Sequence, residues 1–507
     1  MYHSLLTRRY LTSKIMPLLA AVAVTLCSAM VIVVWAVMGG FLTHLVNSGR
    51  SLVGDVSVEV PISGFSHYDE LIKRLEASPQ VEAATPAILT QALLVTPMER
   101  KELVLVRGID AASFARVTTY RDALWWRPLD APMPKDKKRE DPRLTPGARE
   151  QYKAAYENGL SLTVPAESGT GVGGGVGGRD PAIVLGVEVS GINRRQPEGY
   201  YKPGFYVGDH VTLHVLPMSP GGKLLDAVSL KLEVANEVQT GVYEYDRKST
   251  LVSLGALQRA LQMDASRRIA PPPPAGSVVI GPGGKETFPA PVDLGEEPAR
   301  VTTVYVRGKG DVGDAAALKE TVQTIVDKFS RDFPAASPRF MFAVSTWKDL
   351  NRQFIGAVEK ETGLVLILFS FISVVAVFLV FAIFWSMVVE KTKDIGILRA
   401  LGASRSGVAW LWIRYGLAIG IVGAILGLGL SFLIVTNINE IHEAIGRTFG
   451  VYVWDPKIYY FNEIPAKFKW FDASIVIVAG ILSSGIGAFI PAIRAAWMDP
   501  VKAIRFE

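Results

Sequence analysis

Few residues in this 507-residue chain stand in patterns that could do chemistry. Lys285 comes nearest, in GPGGKET at residues 281–287. A phosphate-binding loop uses glycine-rich backbone to cradle phosphate oxygens, a lysine to reach the terminal phosphates and a following hydroxyl to hold magnesium. Here Val279 stands where the first glycine belongs and Glu286 replaces the hydroxyl residue, so the loop fails. Gly173, Gly175 and Gly178 have a dinucleotide-like spacing, but inside SGTGVGGGVGG almost any glycine spacing arises by chance. His442 and Glu443 lack the second histidine of a zinc-protease helix. Cys27, the single cysteine, and six scattered histidines make no nucleophile and base set. The sequence therefore points to no catalytic residue, no cofactor-binding residue and no metal ligand in this chain.

What remains is contact chemistry. Residues 388–403 read VVEKTKDIGILRALGA. Glu390, Lys391, Lys393, Asp394 and Arg399 supply charge, while Ile395, Leu398 and Leu401 recur at helical spacing until Gly402 ends the segment. This predicts a short amphipathic helix within residues 390–405, suited to touch a partner. Its candidate contacts are Glu390, Lys391, Asp394, Ile395, Leu398, Arg399, Leu401 and Gly402. The plainer alternative is that a loop between two membrane spans is polar and often helical whatever it does.

Two long apolar runs bracket that segment. Residues 363–389 carry no charge and exceed the ~20 residues that cross a bilayer core. Residues 408–435 are apolar apart from Arg414, which is close enough to the end for its side chain to snorkel to the headgroups. Glycines 416, 420, 423, 427 and 429 predict a face for close helix contact. A further span is predicted at residues 474–493. Near the start, residues 15–42 are uncharged and follow Arg8, Arg9 and Lys14. A signal peptide's apolar region is shorter, ~7–15 residues. A lipoprotein signal would use Cys27, but Leu26 precedes it and the cysteine lies mid-run, so a retained span is the reading adopted.

Positive residues flank the spans at Lys391, Lys393, Arg399 and Arg405 and again at Arg494, Lys502 and Arg505. The positive-inside rule puts residues 1–14, 390–405 and 494–507 in the cytoplasm and residues 43–355 and 436–472 outside it. In the second outer segment Tyr459, Tyr460, Phe461, Phe468, Trp470 and Phe471 suggest an interfacial aromatic belt. Residues 43–355 mix strand-like alternation, as at 55–62, 92–96, 103–107, 182–185, 210–215, 230–235 and 301–307, with helical stretches at 68–77, 253–263 and 315–333. The fold class is an integral membrane α-helical protein with four transmembrane helices and a large extracytoplasmic α+β domain between helices 1 and 2. Residues 127–147, 168–178 and 270–298 are rich in Pro, Gly or charge and read as flexible surface insertions. A net charge of +5 without a basic, aromatic-laced patch gives nucleic acid binding no support.

With this layout in place, several stretches resemble the permease subunits of lipoprotein-releasing (Lol-type) ABC transporters, within the wider FtsX-like and macrolide-exporter permease superfamily. They are RRYLTSK and VMGGF around the first span, RGID at 107–110, TGVYEYD at 240–246 and TWKDLN at 346–351. Residues 388–403, IYYFNEIPAKFKW at 458–470 and PAIRAAWMDPVKAIR at 491–505 complete them. The resemblance implies a multi-pass permease half in the inner membrane, with its large domain in the periplasm. It implies pairing with a second permease subunit, identical or homologous, and with a cytoplasmic ABC ATPase dimer that holds the ATP and Mg. Cargo would be lipoproteins, drawn from membrane lipids and passed to a periplasmic carrier. Residues 390–403 would be the segment resting on the ATPase. The alternatives are an exporter-type permease for antibiotics or peptides, and a mechanotransmitting permease that regulates an envelope enzyme.

Overall fold

The computed structural model describes residues 15–49, 52–128, 148–166, 179–190, 194–195, 201–202, 207–218, 223–241, 243–269, 279–280, 286–287, 293–310, 315–334, 336, 342–449 and 464–504. Residues 129–147 and 168–178, predicted to be flexible insertions, lie outside this set, as do Tyr459, Tyr460 and Phe461. Two compact units emerge, residues 1–44 with 353–507, and residues 45–352.

Four helices of the first unit are long and apolar enough to cross a membrane, over Met16–Thr43, Ile355–Glu390, Arg405–Thr436 and Trp470–Ala496. In lipid, helices gain nothing from burying apolar surface against each other, so packing depends on close backbone approach. The third span provides it. A Cβ added at Gly416 would lie 2.5 Å from the Ala488 Cβ, and one at Gly420 would lie 2.8 Å from the Ser484 Cβ, both on the fourth span. Farther along, Gly423 meets Val24, and Gly427 meets Thr25 and Ser28, all on the first span. Ser484 Oγ donates to Gly416 O at 2.9 Å and Thr25 Oγ1 to Gly423 O at 3.1 Å, adding polar ties where the backbones touch. Gly429, predicted on the same face, faces open space. Arg414 is exposed.

Residues 45–352 build the second unit around one ten-stranded mixed sheet. Its strands are β1 (Val56–Glu59), β2 (Val81–Val95), β3 (Lys101–Ile109), β4 (Thr163–Pro165), β5 (Arg179–Gly186), β6 (His210–Val215), β7 (Val228–Val238), β8 (Ser249–Ser253), β9 (Thr303–Gly308) and β10 (Ala343–Thr346). The order is β10-β1-β9-β2-β3-β8-β5-β7-β6, with β4 on β5. The long β2 serves twice. Its first half pairs with β9, and its last residues, Ala92 to Val95, pair with β6, so β2, β3, β8, β5, β7 and β6 close on themselves. Closure removes the exposed edges that an open sheet presents to other chains. Alternation along β6 turns Val211, Leu213 and Val215 inward onto Leu94, Val104, Ile183 and Val234.

Helix Ala315–Asp332 buries Leu318, Val322, Val326 and Phe329, a helical stripe, and Tyr68–Glu76 buries Leu71 and Leu75. Phe329 meets Phe65 and Phe342 edge to face. The stretch 270–298, predicted as one flexible insertion, instead includes short paired strands. Val279–Ile280 pairs with Glu286–Thr287, and Asp293–Glu297 returns antiparallel to Ser266–Ile269. Arg127 also departs from expectation, being buried and donating to the carbonyls of Leu124 and Arg121.

Glu237 on β7 is 1% exposed. One carboxyl oxygen accepts the Trp126 indole N–H at 3.0 Å, and Oε1 has no hydrogen-bond partner among the described residues. Burial pushes its pKa from 4.5 up to about 8, with Glu188 adding to the rise and the Trp126 bond opposing it. The folded chain therefore keeps a proton that the unfolded chain has released, so this group's contribution favours folding less as pH climbs from about 4.5 to about 8. Thermal unfolding of the purified full chain across that range should show Glu237→Gln declining less with pH than the native protein. Equal slopes would mean that Glu237 is ionised in the fold.

Candidate functional site

The charged segment between the second and third spans forms a clamped corner. The second span's helix runs to Glu390, Lys391 interrupts it at φ −99°, and a short helix follows over Thr392–Ala400. Thr392 Oγ1 lies 2.7 Å from Val389 O and 3.2 Å from Val388 O, binding the bend to the turn before it. Lys391 Nζ and Asp394 Oδ2 pair at 2.8 Å.

The helix ends in a Schellman turn, in which a residue in the left-handed region lets two N–H groups reach back to otherwise orphaned carbonyls. Gly402, at φ +94°, donates to Arg399 O, and Ala403 donates to Leu398 O. Arg399 Nη1 adds a bond to Ala403 O at 3.1 Å. Ser404 then caps the third span, accepting from Gly407 N at 3.0 Å.

Ile395, expected on the contact surface, points inward and is 2% exposed, among Val388, Trp412, Ala492 and Ala495. The reason is geometric. Residues spaced by three drift about 60° per step around a helix, so Ile395, Leu398 and Leu401 do not share one face. Leu398 is half-buried, while Leu401 is 80% exposed and Ile397 is 51% exposed. Ile397 and Leu401, four residues apart, are the outward apolar pair. The sequence carried that spacing, but the three-residue series around it was the more conspicuous pattern.

A tail helix, Pro500–Ile504, packs against Thr392–Ala400, with Met498 on the shared core. Exposed Trp497 and Val501 extend the apolar surface. The guanidinium of Arg405 lies 4.7 Å from the centroid of the Trp497 ring, and that of Arg494 lies 3.9 Å from that of Trp385. Stacked cations of this kind hold two indoles in place at this end of the bundle.

Other stretches that carried the resemblance also meet in pairs, each within its own unit. In the membrane unit a Cβ at Gly40 of VMGGF would collide with the Pro465 carbonyl, and Lys467 N donates to Ala36 O at 3.0 Å. In the unit of residues 45–352 Arg107 of RGID donates to Ser249 Oγ at 2.9 Å, and Asp110 caps helix Ala111–Val117. Asp246 of TGVYEYD is fully buried and accepts from Thr240 N, Thr240 Oγ1 and Gly241 N. Tyr245 donates to Asn351 Oδ1 of TWKDLN at 2.9 Å. In that stretch Thr346 and Asp349 form a capping box, and Lys319, at 2.8 Å, pulls the Asp349 carboxyl down to about 2. The next residue, Arg352, begins the helix that becomes the second span.

Among the first, second and fourth spans lies a cleft of ≈ 230 Å³, lined by Val24, Val31, Phe369 and Val377 with Cys27 and Ser373 as polar members. Cys27 Sγ and Ser373 Oγ lie 3.7 Å apart. No group of three or more metal-ligating side chains occurs among the described residues.

Four helices long and apolar enough to cross a membrane carry this site, and residues 366–500 match the family described as FtsX-like permease C-terminal. The chain is similar to the lipoprotein-releasing system transmembrane protein LolC of Xylella fastidiosa strain 9a5c, 29% identical over 33% of this chain and 40% of that protein. It is similar to LolE of the same system in Haemophilus influenzae, 29% identical over 23% of this chain and 28% of that protein. A macrolide export ATP-binding/permease protein, MacB 2 of Aeromonas hydrophila, is 28% identical over 30% of this chain and 21% of its own length. The match thus spans less than half of each relative.

The Schellman turn tolerates glycine at little cost and an L side chain at a cost of about 1 kcal/mol or more. Gly402→Ala should lower the thermal midpoint of the full chain in detergent, and Gly429→Ala, in open space, should not. Equal midpoints for Gly402→Ala and the native chain would show that the turn is not constraining.

Proposed function

We propose that this chain is a permease half of an ABC transporter that releases lipoproteins from the inner membrane to a periplasmic carrier. The reading rests on one observation above all. An outward apolar pair, Ile397 and Leu401, is carried on a short helix clamped at both ends and packed on the bundle, within the residues that match the FtsX-like permease family, in a chain similar to lipoprotein-releasing transmembrane proteins. A cytoplasmic ATPase dimer, with its ATP and Mg, docks there. A second permease subunit completes the membrane part, and the unit of residues 45–352 lies in the periplasm.

Energetics explain why such a machine needs fuel. Withdrawing an acyl chain from a bilayer costs about 0.8 kcal/mol per CH₂. A multiply acylated protein will not leave unaided, and an apolar cleft among the spans eases the first part of that path. Rocking of the ATPases displaces the helix Thr392–Ala400 together with the second span that precedes it. Similarity to a macrolide export protein supports a second reading, in which the same lever drives export of a small amphiphile.

Leu401→Asp and Leu398→Asp should abolish co-purification of the ATPase while leaving thermal unfolding of the permease unchanged for Leu401→Asp. Ile395→Asp should instead destabilise the permease itself, since it places a charge in the bundle core. Retained ATPase binding by Leu401→Asp would remove the docking role from this segment. Depletion of the protein should strand acylated lipoproteins in the inner membrane; unchanged sorting with impaired export of amphiphiles would transfer the assignment to the second reading.

A further inference from the structure

The stretch between the third and fourth spans, expected to be a plain loop, contains a helix over Ile438–Phe449. A single residue, Asn437, separates it from the end of the third span at Thr436. With no linker, the helix must start at the membrane surface where the span emerges, on the side opposite residues 390–405. Its sequence, INEIHEAIGRTF, divides into three faces at about 100° per residue. Asn439, His442 and buried Gly446 turn toward the rest of the chain, and Asn439 Oδ1 accepts from Ile464 N at 2.7 Å. Ile441, Ile445 and Phe449 form a second face, and all three are exposed, Phe449 by 73%. Glu440, exposed, lies on a third face opposite the apolar one.

An exposed apolar stripe opposite a charged one is costly in water and normal at a bilayer interface. The neighbouring surface agrees. Phe432 and Leu433 at the end of the third span are exposed, as are Trp470 and Phe471 at the start of the fourth. Phe432 stacks on Trp470 at 6.1 Å, and Phe468 meets both rings edge to face, the aromatic grouping that marks the headgroup level. The helix begins one residue beyond the span that contributes Phe432 and Leu433 to this surface.

We infer that Ile438–Phe449 is an interfacial helix that lies in the outer leaflet of the membrane, with Ile441, Ile445 and Phe449 immersed at the headgroup and acyl boundary and Glu440 in water. Its ligand is the lipid surface. With two glutamates and one arginine the helix has no cationic face, so insertion is driven by apolar burial and does not depend on anionic lipid. The inference rests on the membrane spans and is independent of what the permease transports.

Cys27 is the only cysteine, so Cys27→Ser gives a background for single spin labels. Full-length chain carrying Ile445→Cys or Glu440→Cys is labelled with a nitroxide and placed in phosphatidylcholine nanodiscs. The label at 445 should collide with oxygen several-fold more than with a water-soluble nickel chelate, and the label at 440 should show the reverse. The depth at 445 should not change when anionic lipid is added. Stronger collision of the 445 label with nickel would put the helix in water and overturn the inference. Shielding of that label from both reagents would mean that a second copy or another protein covers the face, which overturns it equally. If the Cys27→Ser background fails to fold, a photoreactive residue at 445 with Cys27 retained decides the matter. Crosslinks to lipid support the inference and crosslinks to polypeptide refute it.

Discussion

Close contact of backbones along the third span governs the architecture of the membrane unit. Apolar surface alone cannot hold helices together in lipid, so Gly416 and Gly420 against the fourth span, and Gly423 and Gly427 against the first, supply the contact area that larger residues would prevent. The corner between the second and third spans follows from this. The third span starts two residues after the Schellman turn, and the fourth span leads into the tail helix that braces Thr392–Ala400. A change in how the third and fourth spans pack would move the helix and its brace together.

The unit of residues 45–352 relies on a different principle. It is held by apolar burial, and the closed part of its sheet packs around Leu94, Leu213, Ile183 and Val234. Polar groups do the specifying. Asp246 gathers three donors in a fully buried position, Arg107 reaches Ser249 across neighbouring strands, and buried Glu237 accepts the Trp126 indole N–H. Each such group is costly unless paired in one particular arrangement, which disfavours other packings of the same strands.

Much of this was legible in the residues. The spans follow from uninterrupted apolar length, and Ala315–Asp332 from its buried stripe. Strand alternation placed β6 well because one of its faces is buried and the other is wet. Elsewhere the local signal was weaker than the tertiary one. Short segments such as Ala111–Val117 depend on a cap from Asp110 that composition does not reveal. The helix Ile438–Phe449 was hidden by its position in a stretch defined as the remainder between two spans. Ile395 was misplaced because a three-residue series resembles a stripe on paper while winding around the helix in space. Most telling, the stretches resembling one family are scattered in sequence but meet within each unit, as Tyr245 meets Asn351 and Gly40 meets Pro465. No periodicity announces such a pairing.

The junction at Asn437 fixes more than a direction. A helix is a screw as well as a rod, and only Asn437 separates the end of the third span at Thr436 from the helix Ile438–Phe449. Adding one residue within that helix ahead of Ile441 would turn the exposed stripe of Ile441, Ile445 and Phe449 by about 100° and advance it by about 1.5 Å, whereas adding seven would nearly restore the phase. Length variation at this point is therefore quantised: the chain can drift in its loops by any number of residues, but here only by steps that keep the thread aligned.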